Sequence, residues 1–358
     1  MPKVTSVVRE DARAVVETLA APLEALEGTT FLVTGAAGFL CATVLDVVAE
    51  FNRSAARRPC RVIGLDNFKT GLPDRLEHLA SDPSFRFVTH DVTQPFDPQE
   101  PVDWILHGAG IASPTFYRRF PLETIDVNVG GLRRMLDLSG TAGTRGILYL
   151  STSEIYGDPE PSAVPTPETY RGFVSCTGPR ACYDESKRLG ETLCVTYHQL
   201  HGTPVRVVRP FNVYGPCQRL DDRRIVPDLM AAALAGKPLV LLSDGRATRA
   251  FCYIGDFIAG LLGVLVGGAD GEAYNVGNDE EVTIRHVAET VAGIARTPPL
   301  PVEFRTSPDR DYLTDNPQRR CPDLRKVREA IGYRPRVPLR QGLERTFRSY
   351  RESGQSAS

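Results

Sequence analysis

Three observations predict an α/β fold, a doubly wound parallel sheet with a smaller C-terminal lobe. Short strands alternate with helical segments through the first two hundred residues. The strands are continuously apolar, as strands covered on both faces must be. A glycine-rich turn, Gly35-Ala36-Ala37-Gly38, joins the first strand to the first long helix. That order of strand, glycine turn and helix opens Rossmann-type sheets.

The elements follow in order. Residues 9–27 read as a helix, with Ala14, Val16, Leu19, Leu23 and Leu26 on an apolar side and Pro22 interrupting. It serves as a cover for the main domain or, alternatively, as a dimerisation arm. Phe31-Leu32-Val33 is the first strand, and Val44, Val47, Val48 and Phe51 mark the helix behind the glycine turn. Arg61–Leu65 ending in Asp66, Phe85–Val88, Trp104–Leu106, Gly146–Leu150 and Val205–Val208 are further strands. Long helices are expected at about 122–140 and from Tyr183 to His198. After Pro210 the pattern becomes irregular and rich in Pro, Gly and Asp. The domain reading is therefore an extension at 1–28 and a nucleotide-binding domain at 29–210, to which 246–274 return. A substrate lobe is built from 211–245 and 275–348, and a disordered tail covers 349–358.

The chain has 358 residues, a net charge of -2 and a pI near 6.3. It has no basic excess with which to hold nucleic acid or an anionic membrane. The longest apolar run, Phe257–Gly268, is too short to span a bilayer, and the charged N-terminus lacks a signal-peptide core. A cytoplasmic location is expected. The eight cysteines form no CxxC pair and no zinc spacing, so they read as reduced thiols and no metal is expected.

Gly35 permits the tight turn and Gly38 lets backbone approach a pyrophosphate at the helix N-terminus. An ordinary strand–helix turn can look the same, but Asp66 strengthens the cofactor reading. It ends the second strand, where a carboxylate bonds ribose hydroxyls and repels a 2′-phosphate. It lies 31 positions after Gly35, beyond the usual ~20, and the arginine-rich stretch 52–59 accounts for the excess. NAD is favoured over NADP. Asp91-Val92 bracket the adenine or cap a helix. Tyr183 and Lys187 share one helix face, where an ammonium favours a phenolate able to act as general base. The strand that ends Leu150-Ser151-Thr152-Ser153-Glu154 brings hydroxyls and a carboxylate to the same edge of the sheet.

In these strings the chain resembles the extended short-chain dehydrogenase/reductases that modify nucleotide sugars, the NAD-dependent epimerase/dehydratase group. The resemblance covers about residues 29–348 and rests on VTGAAGFL, LDNFKTG, HDV, LHGAG, STSEIYG, YDESK, RPFNVYGP, TRAFCYI and YNVGN, in family order. Within the group the strings are most like those of UDP-glucuronate decarboxylases. The resemblance implies that Thr152 bonds the sugar C4 hydroxyl and that Tyr183 takes its proton while hydride passes to NAD. Lys187 holds the tyrosine and the nicotinamide ribose. Glu154 and Arg249 flank C5 and its carboxylate. Gly35, Ala37, Gly38, Phe39, Leu40, Asp66, Asn67, Asp91 and Val92 form the cofactor group, together with Tyr183 and Lys187. Ser113, Ser153, Asn212, Arg219, Arg249 and Tyr274 form the substrate group, with solvated surface charge the alternative for Arg219.

The departures from the pattern are Cys41 in place of a third glycine, Cys217-Gln218 after RPFNVYGP, and two expected walls of the sugar site, Ile111–Arg119 and Val174–Thr177. Two outcomes begin with C4 oxidation of UDP-glucuronate. Re-reduction on the other face makes the protein a 4-epimerase giving UDP-galacturonate, the reading the altered walls favour. Loss of carbon dioxide makes it a decarboxylase giving UDP-xylose or a 4-keto pentose, which Glu154 and Arg249 favour. A non-catalytic NAD-binding sensor is a third reading, opposed by the intact Thr152, Tyr183 and Lys187 set. A homodimer is expected through the two long helices, with Leu132, Met135, Leu136, Leu189 and Leu193 along the seam.

Overall fold

The computed structural model describes residues 4–307 and 317–354. The chain begins with α1 (Ser6–Thr18) and α2 (Ala20–Leu23), then enters β1 (Thr30–Thr34), α3 (Phe39–Ser54), β2 (Arg61–Asp66), β3 (Phe85–Thr89) and β4 (Trp104–His107). Helices α4 (Pro114–Arg119) and α5 (Pro121–Asp126) lead through a wide π turn at Val127–Gly131 into α6 (Leu132–Ala142). There follow β5 (Gly146–Leu150), α7 (Ala181–His201), β6 (Val205–Pro210), β7 (Val213–Tyr214), α8 (Ile225–Leu234), β8 (Leu239–Leu241), β9 (Thr248–Ala250) and β10 (Cys252–Tyr253). The remainder is α9 (Ile254–Gly267), β11 (Ala273–Val276), β12 (Glu281–Thr283), α10 (Ile284–Ala295), β13 (Val302–Phe304), β14 (Arg319–Arg320), α11 (Arg325–Ile331) and α12 (Leu339–Ser353).

Seven parallel strands in the order β11-β6-β5-β4-β1-β2-β3 form the main sheet. Strand β1 is buried at every position and β5 likewise, which is why each reads as an unbroken apolar run. The order reverses beside β1, and the cleft at the carboxyl ends of β1 and β4 is the natural ligand site of such a sheet. Strand β11, absent from the sequence reading, adds the seventh strand to the main sheet, whereas β10 pairs with β7 in a separate two-stranded sheet. Residues 248–250 instead join the small sheet β12-β9-β14 of the second lobe.

Close packing explains two of the glycine positions. Gly35 has φ +71°, and a Cβ there would lie 2.8 Å from the Ala109 nitrogen, so only glycine fits the crossing of β1 and the loop after β4. A Cβ on Gly108 would lie 2.2 Å from the Cys41 sulfur. Cys41 thus fills the space that a helix glycine would leave open, and the facing loop after β4 supplies the glycine, Gly108, instead.

Several expectations are corrected. Leu132, Met135 and Leu136 are buried beneath the main sheet with Leu32, Ile105 and Ile147, so they belong to the core and not to a dimer seam. The large apolar residues exposed on α5 and α7 are Leu122, Ile125, Leu189, Val195 and Leu200. Tyr274, expected at the substrate, is 2 % exposed, and its hydroxyl accepts the Ala269 amide at the opposite edge of the sheet. The expected tail from 349 is helical through Ser353, because Phe347 and Tyr350 insert into the core and the Tyr350 hydroxyl bonds the Gln218 carbonyl at 2.6 Å; the last four residues lie outside the described ones.

Helix α1 covers the main body, with Val8, Ala12, Val15 and Val16 buried on its inner face against α3, α9 and α12. Polar ties join it to the C-terminal helix. The Thr5 and Ser349 hydroxyls are 2.8 Å apart, and the Ser6 amide donates to Glu352 at 2.9 Å. Asp11 accepts from the Tyr253 hydroxyl and from Arg345, each at 2.6 Å.

Candidate active site

The cofactor cleft is built by loop ends. Gly38 caps α3 with extended backbone and no side chain in the way, so the first amides of the helix are open to an anion. Phe39 and Leu40, in the first turn, pack back against the core. Asp66 at the end of β2 accepts the Ala37 amide at 2.9 Å and the Phe68 amide at 2.7 Å. Burial raises its pKa against the pull of these two amides. Gly35, Gly38, Asp66, Asn67, Asp91 and Val92 all line one cleft. Asp91 also holds the Thr93 amide at 3.0 Å in a turn, and no helix starts there for it to cap, as its alternative role would require. A bare helix end, a close-approaching glycine turn and a carboxylate at the second strand fit NAD. Among the described residues no group of His, Cys, Asp and Glu could hold a metal ion, and no helix is long and apolar enough to cross a membrane.

The catalytic set converges at the end of β5. Thr152 ends the strand in extended backbone, caps the turn Ser153–Tyr156 and hydrogen-bonds the Tyr183 phenol. Ser153 is buried on that turn. Lys187, one turn beyond Tyr183 on α7, donates to the Leu150 carbonyl at 2.7 Å and lies 4.8 Å over the Tyr149 ring. The expected ammonium–phenol contact is therefore not made. Burial pushes Tyr183 up to about 12, against the bond from Thr152 and the charge of Arg224, while burial pulls Lys187 down to about 8.

Glu154 reaches from the same turn into a cluster of arginines. Arg180, just before α7, and Arg320 on β14 both donate to its carboxylate, Arg320 through Nη2 at 2.7 Å. Arg249 on β9 stands close enough to add its charge. Burial alone would raise Glu154, but Arg180, Arg320 and then Arg249 hold it far below the usual carboxylate range. Burial and the neighbouring Arg320 in turn lower Arg249 to about 10. Neither Arg180 nor Arg320 was foreseen from the sequence. Arg320 lies 166 positions from Glu154, and the pairing of β14 with β9 and the bridge of Pro322 to Thr166 bring it there.

The remaining predicted residues lie around this centre. Ser113 donates to the Asp222 carbonyl at 2.9 Å and ties α4 to the second lobe. Asn212, at φ +41°, bonds the Ala250 carbonyl at 3.3 Å. Arg219 pairs with Asp221 at 2.6 Å and reaches the Thr70 carbonyl at 3.1 Å, at the rim of the cofactor cleft. Of the two expected walls, Ile111–Arg119 folds into α4 and stacks Tyr117 on Tyr183, ring centroids 5.2 Å apart and nearly parallel. In the other wall, Ser175, Cys176 and Thr177 are exposed.

The comparisons with known proteins agree with this geometry. Residues 31–277 match the model of the NAD dependent epimerase/dehydratase family. UDP-glucuronic acid decarboxylase 5 of Arabidopsis thaliana is 40% identical over 312 residues, 87% of this chain and 86% of that protein. The dTDP-glucose 4,6-dehydratase DesIV of Streptomyces venezuelae, crystallised with NAD, superimposes with a TM-score of 0.77 at 28% identity, covering 90% of this chain and 97% of that one. UDP-glucuronic acid 4-epimerase of Bacillus cereus, in complex with UDP-glucuronic acid and NAD, gives 0.76 at 26% identity over 90% and 99%. With a matching family model across most of its length and a site shaped for the cofactor, this chain belongs to the NAD-dependent epimerase/dehydratase family of enzymes.

Proposed function

We propose that the protein decarboxylates UDP-glucuronate after oxidation at C4. The observation that carries the reading is the Glu154 cluster, with three arginines around one carboxylate beside the Thr152–Tyr183 pair. Arg180 and Arg320 hold Glu154 itself, and the buried Arg249 beside them is the cation suited to a sugar that is itself an acid. The 40% identity to a UDP-glucuronic acid decarboxylase, against 26% for the 4-epimerase, favours this outcome over the epimerase expected from the altered walls.

Thr152 would orient the C4 hydroxyl and Tyr183 would take its proton. Bound NAD would supply the hydride acceptor, the later hydride donor and a positive charge beside the phenol. Lys187, held on the Leu150 carbonyl, would hold the nicotinamide ribose. The 4-keto acid is a β-keto acid, and carbon dioxide leaves when the C5–C6 bond stands perpendicular to the ketone. Glu154 and Arg249 would fix that orientation.

The test is incubation with UDP-glucuronate and NAD, read by mass spectrometry and NMR. Loss of carbon dioxide to a UDP-pentose is expected; UDP-galacturonate at unchanged mass would restore the epimerase. A homodimer and a cytoplasmic location belong to the same proposal. The exposed residues of α5 and α7 support the first, and eight free cysteines support the second.

A further inference from the structure

We propose that Arg180 and Arg320 are positioning residues that keep Glu154 a fixed anion beside the reacting sugar, and so steer the keto acid toward loss of carbon dioxide. The inference rests on the decarboxylase reading and adds two residues to it. Arg180 approaches from the start of α7 and Arg320 from β14, so the carboxylate is gripped from both lobes. Arg320 is 5 % exposed, and the Nε of each guanidinium is buried without a hydrogen-bond partner. Unsatisfied buried donors and surplus buried cations cost stability. An arrangement that costs stability in two ways at a reaction centre points to function.

The charges facing Glu154 come from every element around it. Arg180, Asp184 and Tyr183 belong to α7 and its lead-in, Arg320 to β14, Arg249 to β9, Tyr117 to α4 and Arg224 to the segment before α8. Asp158 stands near Arg249. Because Arg180 and Arg320 are bonded to the protein's own carboxylate, they do not clamp the substrate's. When the C5–C6 bond breaks, its electron pair moves to the C4 ketone as an enolate and carbon dioxide departs; a proton then returns to C5. Two guanidiniums on the substrate carboxylate would stabilise the charge that must leave it. A fixed anion in that place does the reverse.

The experiment compares wild type with Arg320→Gln, Arg320→Lys and Arg180→Gln. Measured are the pH profile of kcat on UDP-glucuronate and the carboxyl ¹³C spectrum of glutamate-labelled protein, with Glu154 assigned through Glu154→Gln. In Arg320→Gln the Glu154 signal should titrate about one pH unit or more higher. The acid limb of kcat should move with it, falling about tenfold for each further pH unit. Arg320→Lys should restore part of both shifts. Should Arg320→Gln fail to fold, Arg180→Gln gives the same readings. An unmoved limb and an unmoved signal in folded variants would overturn the proposal and leave a structural role only. If wild type leaves UDP-glucuronate unchanged, the decarboxylase reading falls, and the labelled spectrum still decides whether the two arginines hold Glu154 ionised.

Discussion

Tyr183 shows how far a motif carries at the scale of the residue. The spacing to Lys187 places both on one helix face, as the sequence reading holds, yet the ammonium turns to the Leu150 carbonyl and the phenol stays near 12. The positive charge within reach of the phenol is that of Arg224, which no motif announces, set against the carboxylates of Glu154 and Asp184. Tyr183→Phe keeps the ring and its stack on Tyr117, so folding and NAD content should survive while kcat falls by about 10²- to 10⁴-fold. Near-normal turnover would remove the residue from its role. Asp66 is a different case, since it braces its own loop through the Ala37 and Phe68 amides. Asp66→Ala should weaken NAD binding by calorimetry without improving NADP binding, because the loop that carries the ribose site loses its brace.

Elements were legible where burial leaves a one-dimensional trace. Strands β1, β2, β4, β5 and β6 are apolar runs because both faces are covered, and all five stand where the sequence places them. Strand β11 escaped because Tyr-Asn-Val between glycine-rich turns has no such run, and Asn275 is buried with its amide donating to the Thr166 carbonyl at 2.9 Å and accepting the Tyr156 hydroxyl at 2.7 Å. Helix α6 shows the opposite error. Its apolar stripe is real, but a stripe does not say what it meets, and Leu132, Met135 and Leu136 meet the sheet. The candidate site was legible wherever it is local in sequence, as at Thr152–Glu154 and Tyr183–Lys187, and hidden where strand pairing assembles it, as at Arg320. In the proposed dimer the exposed residues of α5 and α7 would form the seam. Leu189→Arg with Leu122→Arg should convert a dimer to monomer by light scattering at micromolar concentration, leaving the fold intact because both side chains are exposed. A wild-type monomer would remove the expectation.

For the whole molecule, the clasp of α1, α12 and β10 couples stability to pH. Burial raises Asp11 to about 6, against the Tyr253 and Arg345 bonds. A carboxyl whose pKa is higher folded than unfolded binds its proton more tightly in the native state. Its contribution is therefore most favourable below the unfolded value of 3.8 and is lost as pH rises through about 6. The shift corresponds to about 3 kcal/mol between those limits. Denaturant titrations should show Asp11→Asn losing less stability than wild type from pH 4 to pH 7. Parallel curves would show that Asp11 does not titrate in that window.

The same clasp has a topological consequence. With the Thr5 and Ser349 hydroxyls 2.8 Å apart, the beginning and end of the described chain share one spot on the surface, and the polypeptide is close to a closed ring. The order in which its segments are written is then nearly arbitrary for the finished structure. A gene that joins the two ends through a short linker and opens the ring at the exposed turn around Ser81 and Pro83 would encode every contact of the sheet and both lobes. It would alter only which part of the chain leaves the ribosome first.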